Sequence, residues 1–248
     1  MQARILMLNL VTKFGGNWEE IYNVIKNKLP IDYKEEVDIP YSGKFVSLIE
    51  ENYPTNFKIM RKPPFGFFYE GNLNLLTDNN YKLSIICDNT KIEGIEELFQ
   101  GLDPQVTVII NDETIKERLD VLKNHKIILC LQKSFNKTKG DIVQKIVRNG
   151  GLVITDYPDN TAIVNQTVSR TELSVIKCGN YTLCIDSSLP HGNFYINDIR
   201  ADCDTTIGII PFGYSTHHPN NQLINKGEDC VYDPAYLNLM IHSSNQNN

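Results

Sequence analysis

The chain has 248 residues, a length that fits one large domain or two small ones. Hydrophobic residues make up 41% of it, as in globular proteins, and no apolar run reaches the roughly 18 residues of a membrane-spanning helix. Its 24 basic and 30 acidic residues give a net charge of −6, which argues against a whole-molecule electrostatic attraction to nucleic acid. We therefore expect an intracellular protein with no membrane partner.

The first residues predict a strand followed by a helix. Residues 4–11 are an apolar run typical of a strand, and Asn17 is placed to cap a helix that ends before Pro30. Apolar residues then recur at spacings of three and four, which predicts one stripe facing a core: Trp18, Ile21, Tyr22, Ile25 and Leu29. Residues 33–80 contain several prolines and are predicted to be irregular. The aromatic residues near their middle are interpreted as loop packing over a core: Phe65, Phe67, Phe68 and Tyr69.

From residue 82 onward, strand and helix patterns alternate. The predicted strands cover residues 83–87, 106–110, 126–132, 152–155, 161–164 and 181–185. The predicted helices cover residues 92–100, 113–123 and 139–149, and a short one runs through Leu173 and Ile176. Such alternation requires crossover connections between parallel strands. The predicted fold class is therefore α/β, with mainly parallel sheets and flanking helices.

The cysteines and glycines do not predict a metal or cofactor site. The six cysteines form no C-x-x-C pair, and the one cluster with metal-ligand chemistry is interpreted as a polar loop: His217, His218, Asp229, Cys230 and His242. Neither a Gly-x-x-x-x-Gly-Lys-Ser/Thr loop nor a Gly-x-Gly-x-x-Gly turn is present. We expect no cofactor and no metal.

Residues 125–195 resemble a BRCT domain, most closely the first C-terminal BRCT repeat of DNA ligase IV. The resemblance consists of a strand, the helix over residues 139–149, its terminal Gly150 and Gly151, and the strand 152–155. It continues through residues 157–161, a helix leading to Lys177, and the strand from Tyr181. The two glycines are assigned a structural role, because a sharp turn must let the next strand pack on the helix.

The resemblance implies a non-catalytic protein-interaction module in DNA repair or a related nuclear complex. Its partner would be a protein, phosphorylated or not, and direct nucleic-acid binding is not expected. Phosphopeptide-binding BRCT domains use a hydroxyl at the end of the first strand and a helix lysine. Here Lys133, Ser134 and Lys177 are the candidates, and ordinary solvated lysines are the alternative. The implied domains are an unassigned α/β unit (residues 1–124), a BRCT-like domain (125–205) and a loop-rich extension (206–248). The second half of the chain is thus expected to have a BRCT-like fold.

A second hypothesis is a doubly wound α/β enzyme similar to class I glutamine amidotransferases, with one continuous sheet over residues 4–185. Cys87 follows a predicted strand, where such an enzyme would place its nucleophile. The flanking Ile86 and Asp88 are not the small residues that this strained turn needs. No catalytic residue is therefore assigned, and the sequence favours a protein that is not an enzyme.

Overall fold

The structure is a computed structural model that describes residues 2–31, 44–86, 99–111, 120, 122–135, 140–157, 169–179, 181–184, 208–211 and 238–239. The helices in these ranges are α1 (Gln2–Phe14), α2 (Trp18–Asn27), α3 (Thr55–Lys58), α4 (Gly140–Arg148) and α5 (Arg170–Ile176), with a 3-10 helix at Leu73–Leu76. The strands are β1 (Lys44–Ser47), β2 (Gly66–Gly71), β3 (Lys82–Ile86), β4 (Thr107–Asn111), β5 (Ile127–Leu131), β6 (Leu152–Thr155), β7 (Tyr181–Cys184) and β8 (Gly208–Pro211).

The chain divides into two compact units. The first unit comprises Met1–Thr77 and Cys130–Ser174, and the second comprises Asp78–Leu129 and Val175–Asn248. The division predicted from the sequence, at residues 124 and 205, stays a prediction.

The first unit contains the antiparallel part of the sheet. Strand β2 pairs with β1 on one side, where Phe68 lies opposite Phe45, and with β6 on the other, where Phe68 lies opposite Thr155. The aromatic rings of Tyr53, Phe57 and Phe67 pack together with centroid separations of 5.7 to 6.0 Å. These rings form the apolar core that supports β2.

The second unit contains parallel strand pairs. Strand β3 pairs with both β4 and β7, and β7 pairs with β8. Strand β5 has residues in both units, and the order of strands is β1-β2-β6-β5-β4-β3-β7-β8. All five residues of β5 are buried, as expected for a strand covered on both faces. The predicted α/β class, with a mainly parallel sheet and flanking helices, is confirmed.

The N-terminal segment is a helix, so the strand predicted over residues 4–11 is wrong. Four consecutive residues of this helix, from Leu8 to Val11, are buried and three of them are apolar, and such a short, mostly apolar run is also typical of a buried strand. Three of its 13 residues are leucine, and alanine, methionine and arginine occur once each; all four are strong helix formers. Its length of 13 residues also exceeds that of an ordinary strand.

Helix α2 begins where the sequence predicted. The side-chain oxygen of Asn17 accepts a hydrogen bond from the backbone N–H of Glu20, and Lys28 ends the helix in the left-handed conformation with φ of 50°. The predicted core stripe is only partly correct, since Ile21 is buried and Trp18 half-buried whereas Tyr22, Ile25 and Leu29 are exposed. Val24, which was not in the predicted stripe, is buried beside Ile21. The apolar residues of α2 therefore occupy two faces, and only one of them meets the core.

Two strands lie in the segment that was predicted to be irregular. The prolines suggested a loop, but aromatic residues favour strands, and Phe67, Phe68 and Tyr69 form the centre of β2. Their interpretation as core packing agrees with their burial. The predicted strand over residues 161–164 lies outside the described residues, as do most of the helices predicted over residues 92–100 and 113–123.

The BRCT-like fold predicted for the second half is wrong. A BRCT domain would build its sheet from its own strands. Here β6 pairs with β2, and β7 pairs with β3, so both strands have neighbours from residues 66–86, which precede the predicted BRCT-like domain. The helix, the Gly-Gly pair and the strand that suggested the resemblance do exist as α4, Gly150, Gly151 and β6, but they belong to a different sheet.

Candidate functional site

The side chain of Thr155, in the first unit, bonds to backbone groups just beyond the ends of β5 and β6. The hydroxyl of Thr155 donates a hydrogen bond to the backbone oxygen of Lys133 at 2.9 Å, and it accepts one from the backbone N–H of Tyr157 at 3.1 Å. The first bond joins the end of β6 to the segment after β5, and the second lies within the turn after β6. In parallel sheets, ligand sites commonly lie beyond such strand ends.

The residues predicted to bind a partner lie close to strand and helix ends. Lys133 is half-buried and Ser134 is buried, directly after β5, whereas Lys177 follows α5 in the second unit and is half-buried. Their role in binding stays a prediction. Of the two predicted structural glycines, Gly150 has a φ of +75°, and the backbone oxygen of Gly151 accepts a hydrogen bond from Asn72 at 3.0 Å.

Asp156, the residue after β6, is an ionisable group that sequence reasoning missed. Its side chain is 3% exposed, and its Oδ1 accepts a hydrogen bond from the hydroxyl of Thr171. Its Oδ2 has no hydrogen-bond partner among the described residues. Burial raises the pKa of Asp156 to about 6, and hydrogen bonds from Ser169 and Thr171 act in the opposite direction.

The pKa values of two tyrosines near Asp156, Tyr53 and Tyr157, are also raised. Burial, and then the charge of Asp156, raises the pKa of Tyr53 well above its ordinary value. Burial also raises the pKa of Tyr157 to about 12, with smaller contributions from Asp156 and Glu172. Both phenols therefore stay neutral over the physiological range, and Asp156 is the group of this set that titrates near neutral pH.

Gly16, in the turn between α1 and α2, closes over Asp156. Its φ is +75°, and a Cβ placed on it would lie 2.6 Å from the Cβ of Asp156. A carboxyl group enclosed in this way is out of reach of a dissolved ligand. We therefore interpret Asp156 as a group that joins the α1–α2 turn to α5 through Thr171.

A second group of residues in the first unit lies at the surface. We call it the aromatic–lysine surface and define it as Trp18, Tyr22, Lys26, Lys62 and Phe65. The Trp18 ring stacks on Tyr22 with a centroid separation of 4.7 Å, and on Phe65 at 5.5 Å. The ammonium group of Lys62 lies 5.1 Å from the centre of the Trp18 ring, and that of Lys26 lies 5.7 Å from the Tyr22 ring.

One hydrogen bond fixes the stack, and two further charged residues lie beside it. The indole N–H of Trp18 donates to the backbone oxygen of Pro63 at 2.9 Å. Glu19 forms an ion pair with Lys62. The Nε of Arg170 donates to the backbone oxygen of Lys62 at 3.3 Å, which places a third cationic residue next to the stack.

The exposure of this surface differs from the sequence prediction. Tyr22 is 41% exposed, and Ile25 of α2 and Leu29, just after the helix, are exposed as well. The sequence gives no direct signal for this, because an apolar stripe on a helix usually faces a core. The indirect signal is the pair Ile21 and Val24, which is enough to give α2 a buried face and leaves the other apolar residues on a second face.

The described residues contain no group of three or more histidine, cysteine or acidic side chains arranged to hold a metal ion. The histidines and cysteine of the predicted polar loop lie outside them. In the same part of the chain, no helix combines the length and the apolar character needed to cross a membrane.

Two solved structures share this fold. DNA processing protein A (DprA) from Streptococcus pneumoniae matches 94% of this chain and 91% of its own, with a TM-score of 0.65 and 14% identity. DNA processing protein A from Helicobacter pylori, described for its unique single-stranded DNA binding mode, matches 81% of this chain and 96% of its own, with a TM-score of 0.60 and 15% identity. No protein-family model and no curated protein matches the sequence.

These matches overturn the functional predictions that followed from the BRCT resemblance. They extend over 94% and 81% of the chain and are DNA processing proteins, so the BRCT module and its role as a protein-interaction domain are wrong. The expectation against direct nucleic-acid binding is contradicted, because one of the two proteins is described as binding single-stranded DNA. Nuclear localisation is also contradicted, since both proteins come from bacteria.

The enzyme hypothesis gains no support either. Neither matching structure is a glutamine amidotransferase. Cys87, the residue that this hypothesis placed at the nucleophile position, lies outside the described residues.

Proposed function

We propose that this chain binds single-stranded DNA. The observation that carries the proposal is the fold, which two DNA processing proteins share over nearly their whole length, one of them described for its single-stranded DNA binding. Because identities of 14% and 15% establish the fold alone, the proposal needs support from the chain's own residues.

The net charge of −6 is compatible with this function. Single-stranded DNA is bound by local cationic groups along its backbone together with aromatic rings on which bases stack. Two lysines and one arginine lie at or beside a partly exposed aromatic stack in the first unit. A duplex offers its phosphates but keeps its bases stacked inside, so a protein that uses aromatic rings prefers the single strand.

The test is a titration of a labelled oligothymidylate with the full chain, followed by fluorescence anisotropy at about 50 mM and about 200 mM salt. We expect saturable binding that weakens as salt increases, since cations of the protein replace counterions on the phosphates. A duplex of the same length is the matched ligand, and we expect it to bind more weakly. Absence of binding at low salt, or equal affinity for the duplex, would overturn the proposal.

A further inference from the structure

The aromatic–lysine surface has the features of a base-stacking site. We infer that it is the place where a base of the bound DNA strand stacks, on the exposed ring of Tyr22, with the neighbouring phosphates contacting Lys26 and Lys62. This inference rests on the proposed function and adds to it the residues that contact the strand.

The rings hold one another in place. Trp18 lies against both Tyr22 and Phe65, with interplanar angles of 15° and 28°, and its indole N–H is bonded to the backbone of Pro63. Tyr22 belongs to this stack and remains 41% exposed. A ring held in place beforehand loses little conformational freedom when a base stacks on it, so more of the stacking energy appears as affinity.

The charges favour a nucleic-acid strand over an apolar partner. Lys26 is exposed and its ammonium group lies near the Tyr22 ring, while Lys62 lies near the Trp18 ring and Arg170 bonds to the backbone of Lys62. Cations beside an aromatic stack match a chain in which bases and phosphates alternate. An apolar partner would have to remove these cations, and the carboxylate of Glu19 that pairs with Lys62, from water.

Glu19 opposes binding at the same place. Its carboxylate pairs with Lys62, and it is the more exposed member of the pair, at 66% against 36% for the lysine side chain. A phosphate approaching Lys62 must therefore displace Glu19. Removing the charge of Glu19 should strengthen DNA binding, an outcome that a purely structural role of the surface does not predict.

The first experiment tests the ring. Trp18 is the single tryptophan of the chain, so its emission reports on the stack without a label. We expect oligothymidylate to quench this emission, and Y22A to weaken binding by about fivefold or more, while Y22F retains most of the affinity because the ring remains. I59A is the matched control, since Ile59 is 87% exposed and lies outside the surface; it should bind as wild type does.

The second experiment tests the charges. K26A should weaken binding and reduce the slope of log affinity against log salt by about 0.7, the value for one phosphate contact on a single strand. E19Q should tighten binding. K145A, which removes an exposed lysine from α4, is the control and should leave affinity unchanged.

The outcomes separate the two proposals. If the chain binds single-stranded DNA but Y22A, K26A and E19Q all bind as wild type does, the stacking site is wrong and the proposed function stands. If the chain does not bind single-stranded DNA, both are wrong. Circular dichroism and thermal unfolding of each variant show whether a loss of binding reflects a loss of folding.

Discussion

Asp156 is a carboxyl group whose ionisation costs folding free energy. It is buried beneath Gly16, and its Oδ2 lacks a hydrogen-bond partner among the described residues. The pKa is about 6 in the folded chain, against 3.8 for the unperturbed group. The folded state therefore holds the proton more tightly than the unfolded state does.

This difference predicts how stability depends on pH. The contribution of Asp156 is fully present below about pH 4 and is lost as the pH rises through about 6, by as much as about 3 kcal/mol. The variant D156N has no ionisable group at this position. Its free energy of unfolding, relative to wild type, should therefore increase between pH 4 and pH 7, as measured by urea denaturation at each pH.

The control for this measurement is I59A, because Ile59 is 87% exposed and the substitution changes no ionisable group. Its difference from wild type should stay nearly constant over the same range. Parallel stability curves for D156N and wild type would show that the carboxyl group of Asp156 titrates as it does in the unfolded chain.

Gly16 and Gly150 offer a matched pair for separating backbone strain from steric overlap. Both have a φ of +75°, but a Cβ on Gly16 would overlap Asp156, whereas a Cβ on Gly150 has no neighbour within 4 Å. We expect G150A to cost about 1 kcal/mol and G16A to cost clearly more, in denaturation measurements. Equal costs would mean that the α1–α2 turn can move away from Asp156.

The sequence could not predict this pair. Gly16 and Asp156 lie at opposite ends of the first unit's sequence, and no local pattern links them. The sequence shows that Asp156 is a polar residue directly after a strand. Its burial depends on Gly16 and Thr171, which only the tertiary fold brings next to it.

Strand β2 occupies the middle of the first unit's sheet, between β1 and β6. Phe67 is fully buried there and contacts the rings of Tyr53 and Phe57. F67A should lower the free energy of unfolding by about 3–5 kcal/mol, because it removes a large buried side chain and leaves a cavity. F67L should cost less, which keeps the comparison measurable if F67A does not fold.

The control for F67A is I59A, because Ile59 is exposed; this substitution should change the free energy of unfolding by no more than about 0.5 kcal/mol. A cost below about 1 kcal/mol for F67A would contradict the placement of β2 in the core.

The elements that were predicted correctly have signals within a few residues. Helix α2 has its cap at Asn17, helix α4 has its apolar spacing and a glycine at its end, and β6 is a short apolar run. Helix α1 was mistaken for a strand because its buried residues are consecutive. Strands β1 and β2 were missed because the surrounding prolines indicate loops and their pairing partners are far away in the sequence.

The α/β class was predictable for the molecule as a whole, since alternating strands and helices leave few other architectures. The arrangement of strands was not. A helix followed by two glycines and a strand is common to parallel α/β proteins. The motif at Gly150 and Gly151 is therefore not specific to BRCT domains, and here it belongs to a larger sheet. The aromatic–lysine surface was also hidden, because it joins α2 to residues near Pro63 that are far away in the sequence.

Binding to single-stranded DNA is the central claim, and a competition measurement tests it most directly. The complex of the full chain with a labelled oligothymidylate is challenged with an unlabelled strand of mixed sequence, either alone or annealed to its complement. We predict that the single strand displaces the label at much lower concentration than the duplex does. Equal displacement by both, or a chain that never binds the labelled strand at low salt, would contradict the claim.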